Sequence, residues 1–344
     1  MSYQVTIQPS GHTIEVEKQE PILDAALRKG VSFPYGCRSG VCGTCLGKVL
    51  EGKVSYPDGL PMGLSDDDHE KGSALFCQAV PESDLLIEVA EIEAIGEIEV
   101  KTLPVKIASL RKLSPDVMEV LLKLPETERM QFLAGQYIDI LLSMGKRRAF
   151  SLANAPFNDE YLELHIRHVE GGTFTGQVFN ELKEKSLLRI EGPHGSFFLR
   201  ETDRPKVLMG GGTGFAPLKG MIEQLIQENN QASVYLYWGV RSKTDLYHQG
   251  LAEKWAFQHE NIHFIPVLSE PGEDENWQGV TGFVHNAVIN DFTDMSGFDV
   301  YMSGPPVMVE AGVTAFKAAG LSDDHMYSDS FEYGEDTLVA MNDQ

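Results

Sequence analysis

The chain has 344 residues, and this length predicts two or three domains. Its 51 acidic and 28 basic residues give a formal net charge of −23, which argues against nucleic acid as a partner because nucleic-acid binding requires basic surface. The negative charge favours attraction to a partner with a positive docking face, and it equally serves solubility.

The first ninety residues are predicted to form a small sheet with one helix. The chain begins directly in an alternating pattern at 3–7 rather than in a signal peptide, and a second such stretch at 13–17 predicts a hairpin around 9–11. The segment 21–29 predicts a helix that Gly30 ends.

Further strands are indicated at 47–54, where the pattern includes a turn, and at 85–89, which is expected to close the sheet. Between them, the acidic run 66–70 predicts either a solvated helix start or part of a docking face. No apolar run of eighteen residues occurs, so the sequence predicts no transmembrane helix.

Cysteines give the strongest chemical signal in the chain. The four cysteines are Cys37, Cys42, Cys45 and Cys77. The first three are spaced Cys-x4-Cys-x2-Cys and the fourth follows after a gap, which is the ligand spacing of a plant-type [2Fe–2S] cluster. Glycines at 36, 40 and 43 remove Cβ atoms that would keep backbone N–H groups away from the cluster, and they permit positive φ.

Cysteines at this spacing have two other possible uses. Disulfides are disfavoured because the loop cysteines are close in sequence and no secretory segment is indicated. A structural zinc site is the better rival, although four-cysteine zinc sites usually consist of two Cys-x2-Cys pairs. With all four thiols assigned to a cluster, a reducing cytoplasm is the expected compartment.

The composition changes after residue 91. Residues 91–101 alternate acidic with small or branched apolar residues and are interpreted as a linker. Long alternating strands follow at 105–110, 117–124 and 137–142, and this pattern predicts a small antiparallel barrel.

Short apolar strands alternate with helices from residue 201 onward, which predicts a parallel α/β sheet. The strand 206–209 leads into a glycine loop at 210–217 and a helix through Glu228, a geometry that presents N–H groups to a phosphate. Further strands are predicted at 233–239, 261–267 and 299–303, with helices at 246–259 and 306–319.

The first segment resembles a plant-type ferredoxin domain. The resemblance is carried by the Cys-Arg-x-Gly-x-Cys-Gly-x-Cys loop at 37–45 and by the Leu-x-Cys-x-Ala element at 75–79. It covers about 90 residues, and it implies that the four cysteines hold a [2Fe–2S] cluster.

The second segment resembles the flavin domain of the ferredoxin–NADP reductase superfamily, on its motifs at 147–153, 163–169, 171–175 and 192–197. The resemblance implies bound FAD, with FMN as the alternative because the family commonly has tyrosine where this chain has phenylalanine. The residues so implied are Arg148 on the diphosphate, Phe150 stacked on the flavin, Ser151 near flavin N5, His165, Ile166 and Val169 along the flavin groove, and Gly172, Thr173 and Thr175 at the diphosphate.

The third segment resembles the pyridine-nucleotide domain of the same superfamily, on its glycine loop and its Ser-Gly-Pro-Pro turn at 303–306. The terminal Ser-Phe-Glu at 330–332 resembles the aromatic segment next to the flavin, unless Phe331 is an ordinary core residue. The implied residues are Gly211, Gly212, Thr213 and Gly214 on the diphosphate, Ser303 and Gly304 beside the nicotinamide, and Ser151, Ser303, Phe331 and Glu332 as candidates for the catalytic contact.

The fold class expected is α+β and α/β multidomain. It comprises a plant-type [2Fe–2S] ferredoxin domain (β-grasp) at 1–91, a linker at 92–102, an antiparallel β-barrel that binds FAD at 103–200, and a parallel α/β domain that binds NAD(P) at 201–344. This order resembles the reductase components of bacterial oxygenases and the iron–sulfur flavoprotein reductase of deoxysugar biosynthesis.

The resemblance implies that electrons pass from NADH through FAD to the [2Fe–2S] cluster and on to a partner oxygenase or deoxysugar dehydratase. The flavin lies between the other two because a nicotinamide delivers two electrons at once and the cluster accepts one. The alternative is a stand-alone flavin or ferric reductase that uses the ferredoxin domain as a docking module.

The choice between NADH and NADPH depends on the loop 239–247. Arg241 and Lys243 offer charge for a 2′-phosphate, whereas Asp245 would repel it. Arg241 can equally hydrogen-bond a ribose that carries no phosphate, or be simply solvated. This balance of charges predicts a preference for NADH.

Overall fold

The structure, a computed structural model, describes residues 2–92 and 98–331, which fall into two compact units. One unit holds the described residues up to Glu99 together with His194–Phe197, and the other holds Val100–Pro193 and the described residues from Phe198 onward. Glu332 and the centre of the expected linker, 93–97, lie outside the described residues.

The first unit is a mixed sheet with a short helix packed against it. Its elements are β1 Ser2–Gln8, β2 Thr13–Glu17, α1 Ile22–Arg28, β3 Leu46–Glu51, β4 Val54–Ser55, α2 Asp66–Glu70, β5 Ser73–Leu75, β6 Val80–Pro81 and β7 Leu85–Glu88. The predicted hairpin and helix are confirmed, since β1 pairs antiparallel with β2 and α1 begins directly after Pro21. The acidic run forms α2, with no buried residue.

The main sheet of this unit has the order β2-β1-β7-β3-β5. The last strand in sequence, β7, is therefore the central strand of the sheet. It runs parallel to β1 and antiparallel to β3. Leu85 and Ile87 point into the core from this position and are almost fully buried.

The second unit begins with a six-stranded barrel. Its elements are β8 Lys101–Lys112, β9 Val117–Lys123, β10 Tyr137–Leu141, β11 Arg147–Ser151, β12 Leu162–Arg167, α3 Thr173–Asn180 and β13 Leu187–His194. The strand order is β11-β10-β13-β8-β9-β12, and an antiparallel bridge between Leu152 and Leu164 joins the two ends. The predicted antiparallel barrel is thus confirmed, with alternate residues of each strand facing its core.

An α/β sheet completes the second unit. Its elements are β14 Lys206–Gly211, α4 Phe215–Gln227, β15 Val234–Val240, α5 Gln249–Gln258, β16 Ile262–Leu268, β17 Val280–Thr281, α6 Val284–Asp291, β18 Asp299–Gly304, α7 Pro306–Ala318 and β19 Met326–Ser330. All strands are parallel, in the order β17-β16-β15-β14-β18-β19. The order reverses between β14 and β18, and a crevice at the carboxyl ends of these two strands is where such sheets bind ligands.

Strand β12 joins the barrel to the α/β sheet through its outward residues. Leu164 and its inward neighbours fill the barrel core, while Glu163 and His165 face away from it. Lys219 on α4 donates to a Glu163 carboxylate oxygen at 3.0 Å and to the carbonyl of Ala153 at 3.1 Å. The Lys219 side chain is 7% exposed, so this ion pair is effectively removed from water.

Glu163 and Lys219 each stabilise the charged form of the other. Burial by itself would raise the pKa of Glu163, but the hydrogen bond with His165 and the charge of Lys219 lower it to about 2. Burial likewise opposes the charge on Lys219, whereas the nearby carboxylates of Glu163 and Glu223 raise its pKa overall. Each group therefore remains charged because of the other.

This pair predicts acid-sensitive stability of the second unit. Because the folded pKa of Glu163 lies below its unfolded value of about 4.3, the carboxylate contributes stability above that value, and the contribution is lost as pH falls toward 2. The Lys219→Met variant leaves a buried carboxylate without its cation, and we expect it to lose about 3–5 kcal/mol of unfolding free energy at pH 7.

Urea unfolding followed by tryptophan fluorescence measures this loss, since Trp238, Trp255 and Trp277 all lie in the second unit. The matched control is Lys317→Met, which breaks an exposed ion pair with Asp323 in the same unit and should cost under about 1 kcal/mol. Equal unfolding midpoints for the two variants would contradict the role given to Lys219.

Candidate functional site

In the cysteine loop of the first unit, backbone N–H groups donate hydrogen bonds to cysteine sulfur atoms. The N–H groups of Ser39 and Cys42 both donate to Sγ of Cys37 at 3.4 Å, and the N–H of Cys37 donates to Sγ of Cys42 at 3.5 Å. Cys45 and Cys77 are 2% and 3% exposed, whereas the other two are half-buried. None of the four forms a disulfide.

Glycine is required at position 40 of this loop for two different reasons. Gly40 has φ of +81°, and a Cβ there would lie 2.7 Å from the side chain of Pro61. Gly43 also has positive φ, whereas Gly36 does not. A Cβ at Gly36 would lie 3.4 Å from Sγ of Cys42, which is ordinary van der Waals contact, so space alone does not require glycine there.

The Cys77 thiol does not ionise independently of its neighbours. A hydrogen bond with the Cys45 thiol raises the pKa of Cys77, and burial and the charges of Cys45 and Cys37 raise it further. A cationic centre removes this repulsion, because metal coordination deprotonates thiols outright. Four convergent thiols, with N–H groups directed at sulfur, therefore fit a [2Fe–2S] cluster.

The glycine loop of the second unit comes into direct contact with the end of β18. The residues 212–214 form one short turn between β14 and α4 that contains Thr213. A Cβ at Gly214 would lie 1.9 Å from the carbonyl oxygen of Ser303, so no other residue fits without displacing a strand. The carbonyl of Gly212 accepts a hydrogen bond from the indole of Trp238 at 2.9 Å.

Ser303 occupies the point at which the strand order reverses. It is fully buried, and its hydroxyl has no hydrogen-bond partner within residues 2–92 and 98–331. The next residue, Gly304, accepts a hydrogen bond from the N–H of Phe331 at 2.9 Å. A buried hydroxyl without a partner at a strand's carboxyl end is consistent with a group that a ligand satisfies.

The barrel contributes a residue to the same region. The hydroxyl of Ser151, at the end of β11, donates to Oδ2 of Asp329 at 3.1 Å. Asp329 lies on β19 directly beside Ser303 in the strand register. The structure thus brings together Ser151, Ser303 and Phe331, which are far apart in the sequence, and adds Asp329, which the sequence analysis missed although it lies two residues before Phe331.

The residues predicted to contact the flavin from β11 lie on one face of that strand, as the alternation of side chains requires. Arg148 and Phe150 share one face of β11, and the Phe150 ring lies 5.6 Å from that of Phe174, the second residue of α3. Helix α3 begins after Gly172, so Thr173 stands in its first turn. A guanidinium, an aromatic ring and a helix start on one surface suit a flavin that carries a diphosphate.

Three side chains make contacts that the sequence did not predict. The ring nitrogens of His165 contact Glu163 and the hydroxyl of Tyr247, and the side chain is fully buried, so it does not line an open groove. Ile166 points into the barrel core because it alternates with His165. The Thr175 hydroxyl is bonded within the turn that precedes it, to the backbone of Val169, rather than being directed outward.

Arg167 is a second residue that the sequence analysis did not single out. Its guanidinium covers the glycine loop, since a Cβ at Gly212 would lie 3.0 Å from it, and it ion-pairs with Asp116 at 3.1 Å. The alternation of β12 offered the only signal, because it places Arg167 on the same outward face as Glu163. By contrast, Arg241 lies exposed in the loop after β15.

Three family models match this chain in succession. The 2Fe-2S iron-sulfur cluster binding domain matches residues 5–82, the oxidoreductase FAD-binding domain matches 104–199, and the oxidoreductase NAD-binding domain matches 208–314. A search for membrane-spanning helices over the described ranges finds none.

Similar proteins match along almost the entire chain. The CDP-6-deoxy-L-threo-D-glycero-4-hexulose-3-dehydrase reductase of Yersinia pestis is 41% identical over 331 residues, covering 96% of this chain and 99% of that protein. The phenol 2-monooxygenase reductase component DmpP of Pseudomonas sp. is 36% identical, covering 96% and 95%. The crystal structure of the Amycolatopsis cytochrome P450 reductase GcoB has a TM-score of 0.81 at 34% identity, covering 96% and 98%.

The fold and the donor groups define an NAD(P)H-dependent iron–sulfur flavoprotein oxidoreductase. The chain belongs to the ferredoxin-containing reductases of the ferredoxin–NADP reductase superfamily. It transfers electrons from NADH through FAD to a [2Fe–2S] cluster and on to a protein partner.

The thiol arrangement predicts the metal content. Purified protein should contain about two irons per chain and show the visible spectrum of a flavin with a [2Fe–2S] centre. The Cys42→Ser variant should lose the iron and keep the flavin, because Cys42 lies in the first unit, whereas Arg148 and Phe150 of the predicted flavin face lie in the second. One zinc per chain in place of iron would contradict the assignment.

The barrel face predicts how the flavin is retained. The Arg148→Ala variant should lose flavin during gel filtration while its iron content stays unchanged, since a guanidinium forms charge-assisted hydrogen bonds with a diphosphate. Lys146→Ala, an exposed cation two residues earlier, is the matched control. Equal flavin occupancy in the two variants would show that Arg148 does not bind the diphosphate.

Proposed function

We propose that this reductase supplies electrons to a dehydratase that acts on a nucleotide-linked 6-deoxyhexulose. The observation that carries the proposal is the 41% identity to a hexulose-dehydrase reductase over 96% of this chain, against 36% to the phenol 2-monooxygenase component over the same share. The excess of acidic over basic residues makes the chain negatively charged, which suits a partner with a positive docking face.

The proposed route follows the three sites described above. When bound, the flavin exchanges two electrons with nicotinamide and single electrons with the cluster. The contribution of the chain is placement, which determines whether the nicotinamide approaches flavin N5 to about 3–3.5 Å. Gly214 sets the distance between the glycine loop and Ser303, and Phe331 is fixed to Gly304 through its N–H.

Ser151 and Ser303 are proposed to border the reacting atoms from the barrel side and the sheet side. Because Ser151 donates its proton to Asp329, its oxygen keeps its lone pairs as acceptors for an N–H group. The Ser303 hydroxyl retains a proton to donate to a ligand. Neither serine is proposed to act as a nucleophile.

The domain limits 1–91, 103–200 and 201–344 form part of the proposal, and each contains one of the three matched family models. A cytoplasmic location is proposed as well. It is supported by four cysteines that are free of disulfides and convergent on one site, which suits a reducing compartment.

The experiment that tests the partner uses purified holoenzyme with a purified hexulose dehydratase or with a phenol hydroxylase oxygenase component. We expect NADH oxidation to be coupled to product formation with the dehydratase, and at least about tenfold slower coupling with the oxygenase. Efficient coupling to the oxygenase alone would overturn the choice of partner.

The same preparations test the direction of electron flow. In the Cys42→Ser variant, NADH should still reduce the flavin, whereas reduction of cytochrome c should fall to background because the cluster is the one-electron donor. Undiminished cytochrome c reduction would instead favour a stand-alone flavin reductase in which the ferredoxin domain only docks.

A further inference from the structure

Two histidines and two glutamates of the second unit bring their donor atoms together beside strand β12. Glu163 and His165 lie on β12, and Glu119 is the register partner of His165 on β9. His248 comes from the α/β sheet, immediately before α5. One nitrogen of each histidine and one carboxylate oxygen of each glutamate all lie within 4.8 Å of one another. Four side chains of the types that bind metals therefore meet at one point, from three separate segments.

The cluster is largely withdrawn from water. Glu119 and His165 are buried, whereas Glu163 and His248 are half-buried. Acidic groups that merely share an exposed surface differ from this set, which mixes imidazoles with carboxylates inside the fold. The two half-buried members give a small ion access from solvent.

One nitrogen of His248 is not used by the protein itself. Its Nε2 is buried and has no hydrogen-bond partner within residues 2–92 and 98–331. A buried polar atom without a partner requires an explanation, and a bound ion provides one. Burial, together with the charge of His165, lowers the pKa of His248 to about 4, so its imidazole is neutral at pH 7, as a metal ligand must be.

His165 is oriented toward the cluster by a neighbour on its other nitrogen. Its Nδ1 lies 3.1 Å from the hydroxyl of Tyr247, and its Nε2 lies 2.9 Å from Oε1 of Glu163. Metal-bound histidines are oriented in the same way, by a partner on the nitrogen that does not bind the ion. An ion between His165 and Glu163 would replace a single hydrogen bond.

Each glutamate is held from outside the cluster by a basic side chain. Lys219 donates to Oε2 of Glu163 at 3.0 Å, and Arg111 donates to Oε1 of Glu119 at 2.9 Å. An ionised carboxylate has about four acceptor sites, so both glutamates can still bind an ion. Because Arg111 and Lys219 offset the charge of the carboxylates, we expect a moderate affinity.

We propose that these two histidines and two glutamates form a binding site for one divalent transition-metal ion, with zinc as the expected occupant. Imidazoles and carboxylates suit zinc, which binds four such ligands in a tetrahedron at about 2.0–2.2 Å. The donors around such an ion lie about 3.3 Å apart, so no pair in the cluster has to close by more than about 1.5 Å. The ion joins β9 and β12 of the barrel to the segment before α5. The site is separate from the four cysteines, which lie in the first unit.

Zinc binding to the holoenzyme tests the site. After treatment with a chelator, equilibrium dialysis against zinc and mass spectrometry should give about one zinc per chain in addition to about two irons. The His248→Phe variant keeps an aromatic ring beside Phe215 and Tyr247 but removes both ring nitrogens. It should bind zinc at least about tenfold more weakly, with unchanged iron and flavin content.

The matched control is His259→Phe, which removes a histidine from the opposite end of α5 and should leave the zinc affinity within about twofold. A second variant, Glu119→Gln, keeps the shape of the side chain and replaces the charged ligand by an amide. It should weaken zinc binding about tenfold as well, so the test stands even if His248→Phe folds poorly.

The ligands themselves can be identified without turnover. Zinc X-ray absorption of the loaded holoenzyme should show only nitrogen and oxygen neighbours at about 2.0–2.2 Å and no sulfur at about 2.3 Å. An ion that joins separate segments of the second unit also stabilises that unit. At zinc about 100 times above its Kd, the unfolding midpoint should rise by about 5–10 °C in the wild type and not in His248→Phe.

Three results would each overturn the inference: no zinc bound beyond the iron, zinc binding that neither His248→Phe nor Glu119→Gln weakens, or sulfur among the zinc ligands. The last result would place the zinc in the cysteine loop. None of these outcomes decides the electron-transfer function, which the reduction of flavin and cytochrome c tests separately.

Discussion

The ion pair between Lys219 and Glu163 is the contact on which the second unit depends. It joins the helix after the glycine loop to an outward residue of a barrel strand, and it is nearly removed from water. Removing one partner would leave a buried, unpaired charge, which destabilises a fold far more than replacing both partners by apolar residues does. The same strand presents His165 to Tyr247 and Arg167 to the glycine loop. Residues of the barrel and of the α/β sheet are therefore held in one arrangement, as a hydride transfer between two bound groups requires.

A second constraint on the structure is that the backbone lies very close to a neighbouring segment at two glycines. Gly214 lies against the Ser303 carbonyl and Gly40 against Pro61, so a Cβ at either position would collide with its neighbour. The two contacts lie in different units but have a common physical reason. Both loops turn closely against a neighbouring segment, and only a residue without a Cβ fits at these two positions.

The sequence predicted the 2Fe-2S domain correctly because cysteine spacing within one loop is a local property. It also predicted the antiparallel barrel and the parallel sheet, since the period of apolar residues and the alternation of strand and helix are local as well. It did not predict the contacts that the side chains of His165, Ile166 and Thr175 make. Whether a residue on a strand faces a ligand, the barrel core or a neighbouring domain depends on which element packs against that strand, and adjacent residues of one strand differ in this respect.

The sequence by itself determined the chemistry available to this protein: four thiols at one spacing, a glycine loop after a buried strand, and motifs in the order cluster, flavin and nucleotide. Only the tertiary structure decided which groups meet. Asp329 contacts Ser151 across 178 positions of sequence, and Glu275 reaches Lys243 across 32. No local pattern encodes these pairs, because strand β19 takes its place beside β18 and the turn at 273–275 folds back beside β15 only when the sheet is assembled. Long-range pairing is fixed by the packing of the whole sheet, and so is the charge that surrounds each ligand.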